Sequence, residues 1–544
     1  MKREPADIRI GLSDLHLGKG GCPTARAVKV RGGRSWPSRM ETGGGLLVDF
    51  ALGPLMNLLD QVEFGTRGME RVLERVVLTR EEYYFRGELV HPGLVDWTID
   101  LVKAYLAARD THLARQGPSC PIPVRGEWVV RTELNRVDRR GFRIYERFCW
   151  GRRYESADGS VREIWLLSLG AVKDRSVAQL ALGAYVAAHG QVPGVSTSKV
   201  GAAMPRLVRL VGFGGTGQAR VLDQRSGVEV GEYFADAAKE ALAAVIDTDV
   251  RVPGGDCAGC GELPDCGSVV RVRLLPDLAP SRALRTRTVS ATDLRTYSIC
   301  PKKYHLVRQL KLRDPNWVEG TQITLGRGVD ALLNKRHGGV GAVRCRPDDS
   351  WPLSTIELAA EQRDRAGRML AQHSGSCPLT SEVDSLPQVQ RTVSAYDAHL
   401  DVVFVGTPDL LYVEDGGWVW RETKTSSKPL WVGRSLLRRY PQLALGVLFL
   451  AVGAVDSRTS SGRVELEHLQ VDDRAVEELD VSQPAVVAEA RSVVQDLLVP
   501  LLADTRFEAS PGRDCRSCEV LRWCPEGREH VRRTSEGAEK SASD

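Results

Sequence analysis

Two cysteine triplets with one spacing, Cys257-x2-Cys260-x5-Cys266 and Cys515-x2-Cys518-x5-Cys524, constrain this chain more than any other feature. Each follows, far downstream, a Cys-Pro pair, Cys22-Pro23 and Cys300-Pro301. Asp14-Leu15 and Asp293-Leu294 stand just before those pairs. Gly45-x3-Asp49 corresponds to Gly326-x3-Asp330, and Gln179-Leu-Ala-Leu-Gly183 repeats letter for letter as Gln442-Leu-Ala-Leu-Gly446. The offset is 278 from Cys22 to Cys300, 263 from Gln179 to Gln442 and 258 from Cys257 to Cys515, a drift that loop insertions produce. A period of this size is a domain, not a solenoid unit of roughly 20–50 residues. The order of landmarks therefore predicts two tandem α/β (α+β) domains, each a mixed central sheet flanked by helices and clamped by four cysteines.

The 544 residues exceed one ordinary core, which agrees with that division. The expected boundaries are 1–280 and 281–526, joined near 275–288, where Leu-Pro-Asp-Leu-Ala-Pro-Ser carries two prolines. The polar stretch 527–544 reads as a disordered tail. Net charge is only +4, so nucleic-acid binding has to rely on a local patch. The polar start Met-Lys-Arg-Glu-Pro-Ala-Asp and the lack of a long apolar run predict no signal peptide and no membrane span, hence a cytoplasmic chain. Twelve cysteines in such a chain point to metal ligation before disulfides. Cys120, Cys149, Cys345 and Cys377 share no spacing and read as packing or surface residues; His337 reads as a surface histidine at a helix end.

In the second half the pattern predicts a helix from Ser290 or Thr292 past Tyr304 and another over 323–336. Strands follow at 402–406, 409–414 and 418–424, the last two joined by the turn Glu414-Asp-Gly-Gly417. A long helix over 434–452, a strand at 463–470 and a helix at 483–503 complete the pattern. On this frame Asp409 opens one strand, and Glu422-Thr423-Lys424 ends the next behind Trp418, Val419 and Trp420. A charged pair at the end of an apolar strand needs a reason. Phosphodiester hydrolysis supplies one: Asp409, Glu422 and the Thr423 carbonyl offer oxygens to a hard cation such as Mg2+ or Mn2+. Lys424 shares a strand face with Glu422 and would hold the attacking water and offset phosphate charge.

Residues 288–526 resemble the RecB-like branch of the PD-(D/E)XK nucleases, which includes CRISPR-associated RecB-like exonucleases, on Pro408-Asp409 and Glu422-Thr423-Lys424. The resemblance implies a Mg2+- or Mn2+-dependent deoxyribonuclease, exonuclease rather than endonuclease, acting on single strands or DNA ends in repair or defence. It makes Gln442 the glutamine that positions substrate and puts Asp330 where the family has a histidine metal ligand. The family's tyrosine four residues after the glutamine is Gly446 here; Tyr440 is close in sequence but not at that place. Cys300, Cys515, Cys518 and Cys524 match the ligand spacing of the iron–sulfur members, so a [4Fe-4S] cluster is implied, with zinc as the alternative. Arg438, Arg439 and Tyr440 are DNA-binding candidates.

The first half departs from this pattern. Aligned on Trp165 with Trp420, it has Leu167-Ser168-Leu169 in place of Glu-Thr-Lys. It therefore reads as a pseudonuclease that extends a DNA track, braces the active half or binds a partner, with Arg139, Arg140, Arg143, Arg152 and Arg153 as phosphate contacts or a solvated strand face. Cys22, Cys257, Cys260 and Cys266 would hold a second cluster or zinc, or are vestigial. Gly212-x-Gly-x-x-Gly217 has no helix after it and reads as a hairpin loop, not a dinucleotide fingerprint. The rival reading is a non-catalytic iron–sulfur DNA-binding or scaffold subunit, with a helicase or other repair or defence protein as partner.

Overall fold

The computed structural model describes residues 7–541 except Lys19 and the segments 33–46, 116–119, 136–141, 194–203, 281–285, 339–342, 380–386, 431–434 and 457–461. Gly45, Arg139 and Arg140 lie outside the described residues.

The first half contains β1 (Ile8–Gly11), α1 (Pro92–Leu113), β2 (Val129–Asn135), β3 (Phe142–Phe148), β4 (Arg152–Glu155), β5 (Val161–Leu167), α2 (Val177–His189), β6 (Leu207–Phe213) and β7 (Ala219–Arg225). The second contains β8 (Arg287–Ser290), α3 (Ala291–Ile299), α4 (Thr321–His337), α5 (Ala360–His373), β9 (Val393–Asp397), β10 (Val402–Gly406), β11 (Leu410–Glu414), β12 (Gly417–Thr425), α6 (Pro441–Ala451), β13 (Gly462–Leu469), β14 (Arg474–Asp480), α7 (Pro484–Ala503) and α8 (Pro525–Ser541).

Strand order and direction repeat between the halves. β1 runs parallel to β3, which pairs antiparallel with β2; β8 runs parallel to β10, which pairs antiparallel with β9. The larger sheets read β7-β6-β5-β4 and β14-β13-β12-β11, each ending in a two-residue edge strand, Ile122–Pro123 or Gln388–Val389. The central pair is parallel in both, with Trp165 opposite Val211 and Trp420 opposite Val464. A parallel pair needs a crossover, and α2 and α6 provide it. Each helix start is specified locally. Ser176 and Gln179 form a reciprocal capping box on α2, with bonds of 3.3 and 3.1 Å. Pro441 occupies the first position of α6, where its missing N–H costs nothing.

The halves are interlocked. One apolar core joins α1 to Leu306, Leu310, Leu312, Val520 and Trp523 from the second half. Arg522 Nε and Trp523 Nε1 both donate to Asp100, at 2.8 and 3.1 Å. In the other direction, Cys257, Leu263 and Val269 pack with Tyr396 and Val403 of the second half. Leu274 and Leu275, assigned by sequence to the first half, lie in the second half's core.

Three expectations are corrected. The helix expected over 434–452 is broken at Tyr440, because the residue before a proline is driven out of the helical region. The tail expected to be disordered is helical to Ser541; Arg532 pairs with Glu529 and Glu536 one turn away, at 2.8 and 2.7 Å. Asp330 lies inside α4, whereas Asp49 precedes its helix, Leu52–Phe64, so the two are not equivalent positions. β9, α5 and β14 were not anticipated. The turn at Asp415-Gly416 takes positive φ at both residues, 51° and 71°, as a two-residue hairpin requires.

Candidate active site

Strand alternation puts Trp420, Glu422 and Lys424 on one face of β12. The Trp420 indole N–H donates to one Glu422 oxygen at 3.2 Å, and Lys424 Nζ donates to the other at 3.1 Å. Asp409, at the start of β11, reaches across the hairpin. Its Oδ2 accepts the Thr423 backbone N–H at 2.7 Å and lies 3.9 Å from Lys424 Nζ. Asp330 arrives from α4 close enough to Asp409 to raise its own pKa, and Gln390 Nε2 donates to it at 3.2 Å. Three carboxylates and one ammonium thus meet at one sheet end.

The electrostatics follow from that crowding. Burial pushes the Glu422 carboxyl up to about 7; Asp409 adds repulsion and Lys424 opposes it. Burial, then Asp409, pushes Asp330 up to about 6. Burial alone would depress Lys424, but Glu422 and Asp409 outweigh it and its ammonium rises to about 12. Such an acid cluster is held together at a cost unless a cation joins it, which makes it a chemical fit for a hard divalent ion.

An open cleft gives access. Besides Glu422 and Lys424 it is lined by Gln442 at the first turn of α6, and by Thr292, Arg295 and Thr296 of α3. The first turns of two helices thus border the cleft, an arrangement that suits an anion. The α3 residues went unnoticed in the sequence because nothing in their spacing marks them. Gly446 is explained by packing: a Cβ there would lie 3.0 Å from the Trp420 indole, so the ring fills the space a side chain would need. Arg438 is exposed and pairs with Asp496 at 3.2 Å, while Arg439 lies over the Tyr440 ring, which is itself buried. None of these three is among the residues lining the cleft.

In the first half the end of β5 is filled with core. Leu167 and Tyr154 join Tyr105, Trp165 and Phe213 in an apolar cluster. The Tyr105 and Tyr154 hydroxyls bond each other at 2.8 Å, and Tyr154 donates to Glu63. Arg152 is neither a phosphate contact nor solvated: it is buried and paired with Asp60 and Glu63. Gln179, in the first Gln-Leu-Ala-Leu-Gly run, is buried and donates to the Leu12 carbonyl at 3.0 Å.

The cysteines converge as two sets. Cys300, Cys515, Cys518 and Cys524 line one cavity; Cys22, Cys257, Cys260 and Cys266 line another. Backbone N–H groups point at the sulfurs: Ser510 at Cys300, Gly512 at Cys515 and Gly527 at Cys524, at 3.3–3.4 Å. Val252 and Gly254 donate likewise to Cys22 and Cys257, at 3.4 and 3.3 Å. Such donors stabilise thiolates, so both sets suit a metal or cluster. Burial pushes Cys518, Cys524 and Cys257 up to about 11, which leaves the bare thiols protonated and couples deprotonation to metal binding.

Two sequence expectations fail at one point. His337 is not a surface residue but only 3% exposed, and Cys345 and Cys377 are not isolated packing residues. Both sulfurs approach His337 Nε2, at 3.4 and 3.7 Å. The sequence signal for this group was His373-x3-Cys377, hidden because its partners lie far upstream.

No curated protein matches the chain. Among solved structures, that of SSO0001 is similar over 44% of this chain and 85% of its own, at 15% identity and a TM-score of 0.23, a likeness that carries no argument. Residues 288–525 match the family model of the PD-(D/E)XK nuclease superfamily. The segment that carries Asp330, Asp409, Glu422 and Lys424 is accordingly a PD-(D/E)XK nuclease superfamily domain.

Proposed function

We propose that residues 281–526 form a Mg2+- or Mn2+-dependent deoxyribonuclease of the RecB-like branch, acting on single strands or ends in repair or defence. The observation that carries this reading is the meeting of Asp330, Asp409, Glu422 and Lys424 at one sheet end, where Glu422 and Lys424 line an open cleft. Asp409, Glu422, Asp330 and the Thr423 carbonyl are the proposed ligands of the divalent ion, which supplies Lewis acidity toward phosphate oxygens. Lys424, protonated at neutral pH, donates to the attacking water and to the developing charge. Gln442 and Arg295 border the cleft and would hold the strand. Trp420 fixes Glu422 through its indole N–H.

Cys300, Cys515, Cys518 and Cys524 are assigned a [4Fe-4S] cluster, and Cys22, Cys257, Cys260 and Cys266 a second cluster or zinc. Residues 1–280 are read as a degenerate copy, supported by the repeated strand order and by the apolar filling of its site. Among the described residues, no helix is long and apolar enough to cross a membrane.

The test is cleavage of labelled single- and double-stranded DNA with Mg2+ or Mn2+ by anaerobically purified protein, beside Lys424→Ala. Loss of wild-type cleavage in the variant supports the reading. A wild type that cuts nothing with either metal overturns it in favour of a non-catalytic subunit.

A further inference from the structure

A group of four metal-ligating side chains stands apart from the carboxylate cluster and from both cysteine sets. His337 closes α4, Cys345 follows it, His373 closes α5 and Cys377 follows that. All four are at least nine-tenths buried, and one ligand atom from each lies within 4.8 Å of the other three. A tetrahedral zinc ion with sulfur at about 2.3 Å and nitrogen at about 2.0 Å separates its sulfur and nitrogen ligands by about 3.5 Å. The two Sγ–Nε2 distances at His337, 3.4 and 3.7 Å, fall on that edge length. The Cys345 N–H also donates to Cys377 Sγ at 3.3 Å, as it would to a thiolate.

The second observation is independent of these spacings. His373 Nδ1 lies 2.8 and 3.0 Å from the two oxygens of Glu467. That carboxylate engages Nδ1 and leaves Nε2 as the ring nitrogen free to act as a metal ligand. Yet His373 Nε2 is fully buried with no hydrogen-bond partner. A buried polar nitrogen left without a hydrogen bond beside two thiols and a second imidazole is costly, and a cation bound there removes the cost. A carboxylate behind a histidine is also the usual support of a zinc ligand.

We infer that His337, Cys345, His373 and Cys377 bind one structural zinc ion, closed on all four sides. Mixed sulfur and imidazole donors in tetrahedral array select zinc over Mg2+ or Mn2+, so this site is distinct in kind from the carboxylate cluster. Its consequence reaches the cleft. Glu467, on β13, accepts the Thr423 hydroxyl at 3.0 Å, and Thr423 stands between Glu422 and Lys424. The zinc therefore ties the end of α4, which carries Asp330, to the strand that carries Glu422.

The experiment is elemental analysis of the full chain purified under reducing conditions, as wild type, Cys345→Ser, Cys377→Ser and His337→Cys. The expected result is one zinc equivalent per chain lost in each serine variant, with iron unchanged, and zinc retained in His337→Cys. Should the serine variants fail to fold, Co2+-substituted wild type and His337→Cys decide the matter. The thiolate-to-cobalt absorption assigned to this site should rise by half as two sulfurs become three. Equal zinc in wild type and folded serine variants would overturn the inference, as would an unchanged cobalt spectrum or a Cys345–Cys377 disulfide in the purified protein.

Discussion

Protons and the divalent ion should compete for the carboxylate cluster, and the structure sets the size of the contest. Glu422 is held up to about 7 and Asp330 up to about 6, both by burial first and Asp409 second. Both must be ionised to serve as ligands. From pH 8 to pH 6 the ionised fraction of Glu422 falls about tenfold and that of Asp330 about twofold, so affinity should fall about 20-fold, or about 1.8 kcal/mol. The sign is fixed by direction: a raised carboxyl holds its proton into the neutral range, so binding strengthens as pH rises. Calorimetric titration of zinc-loaded protein with Mn2+ at pH 6, 7 and 8 measures this. Glu422→Gln should bind far more weakly and keep only a shallow dependence from Asp330. An Mn2+ affinity that is flat from pH 6 to 8 would refute the placement of these carboxylates as crowded, buried ligands.

The same crowding should appear in stability. Because the folded Glu422 value lies above the ordinary 4.5, metal-free protein should be favoured by this group below pH 4.5 and lose about 3 kcal/mol as pH rises through 7. Urea unfolding of wild type against Glu422→Gln across that window measures the difference, and Mn2+ should abolish it. Gly446→Ala should cost about 1–3 kcal/mol, since its new methyl meets the Trp420 ring at 3.0 Å, and should lower cleavage by disturbing the indole bond to Glu422. Arg421 is buried and bonded to Glu465 at 2.7 Å, so Arg421→Ala should cost about 3–5 kcal/mol by stranding that carboxylate. Denaturant midpoints at unchanged slope would verify both.

The main lines of the second half were legible because its chemistry is local. Glu422 and Lys424 sit two residues apart on one strand, and the Asp-Gly turn places Asp409 across from them. Period-two alternation and turn residues were enough to bring these together. α6 was legible as apolar, but its break at Tyr440 depended on a single proline inside an otherwise continuous run. β14 was missed because Arg474–Asp480 is largely exposed and charged, so no apolar alternation announces it. The His-Cys group was invisible for a different reason. His337 and Cys345 stand on one side of α5 and His373 and Cys377 at its end, and only the packing of α4 on α5 closes the ring. Arg152 shows the converse error: a charge read as surface was sealed in by an acid, Glu63, almost ninety residues upstream.

The interlocked core decides how this protein can be made. Gly93, at the start of α1, has no room for a side chain: a Cβ there would meet Leu306 at 2.8 Å and the Trp523 carbonyl at 3.2 Å. Those partners are synthesised more than 200 and more than 400 residues later. A nascent chain that has cleared the ribosome through its first 280 residues therefore carries an open apolar face on α1 and must wait for nearly the whole remainder to cover it. An apolar face left open in this way is prone to aggregation. A product truncated before Trp523 would lose part of the core of the half that is already complete in sequence. If the gene were split at the join, the two polypeptides would behave as obligate partners rather than as two independent domains.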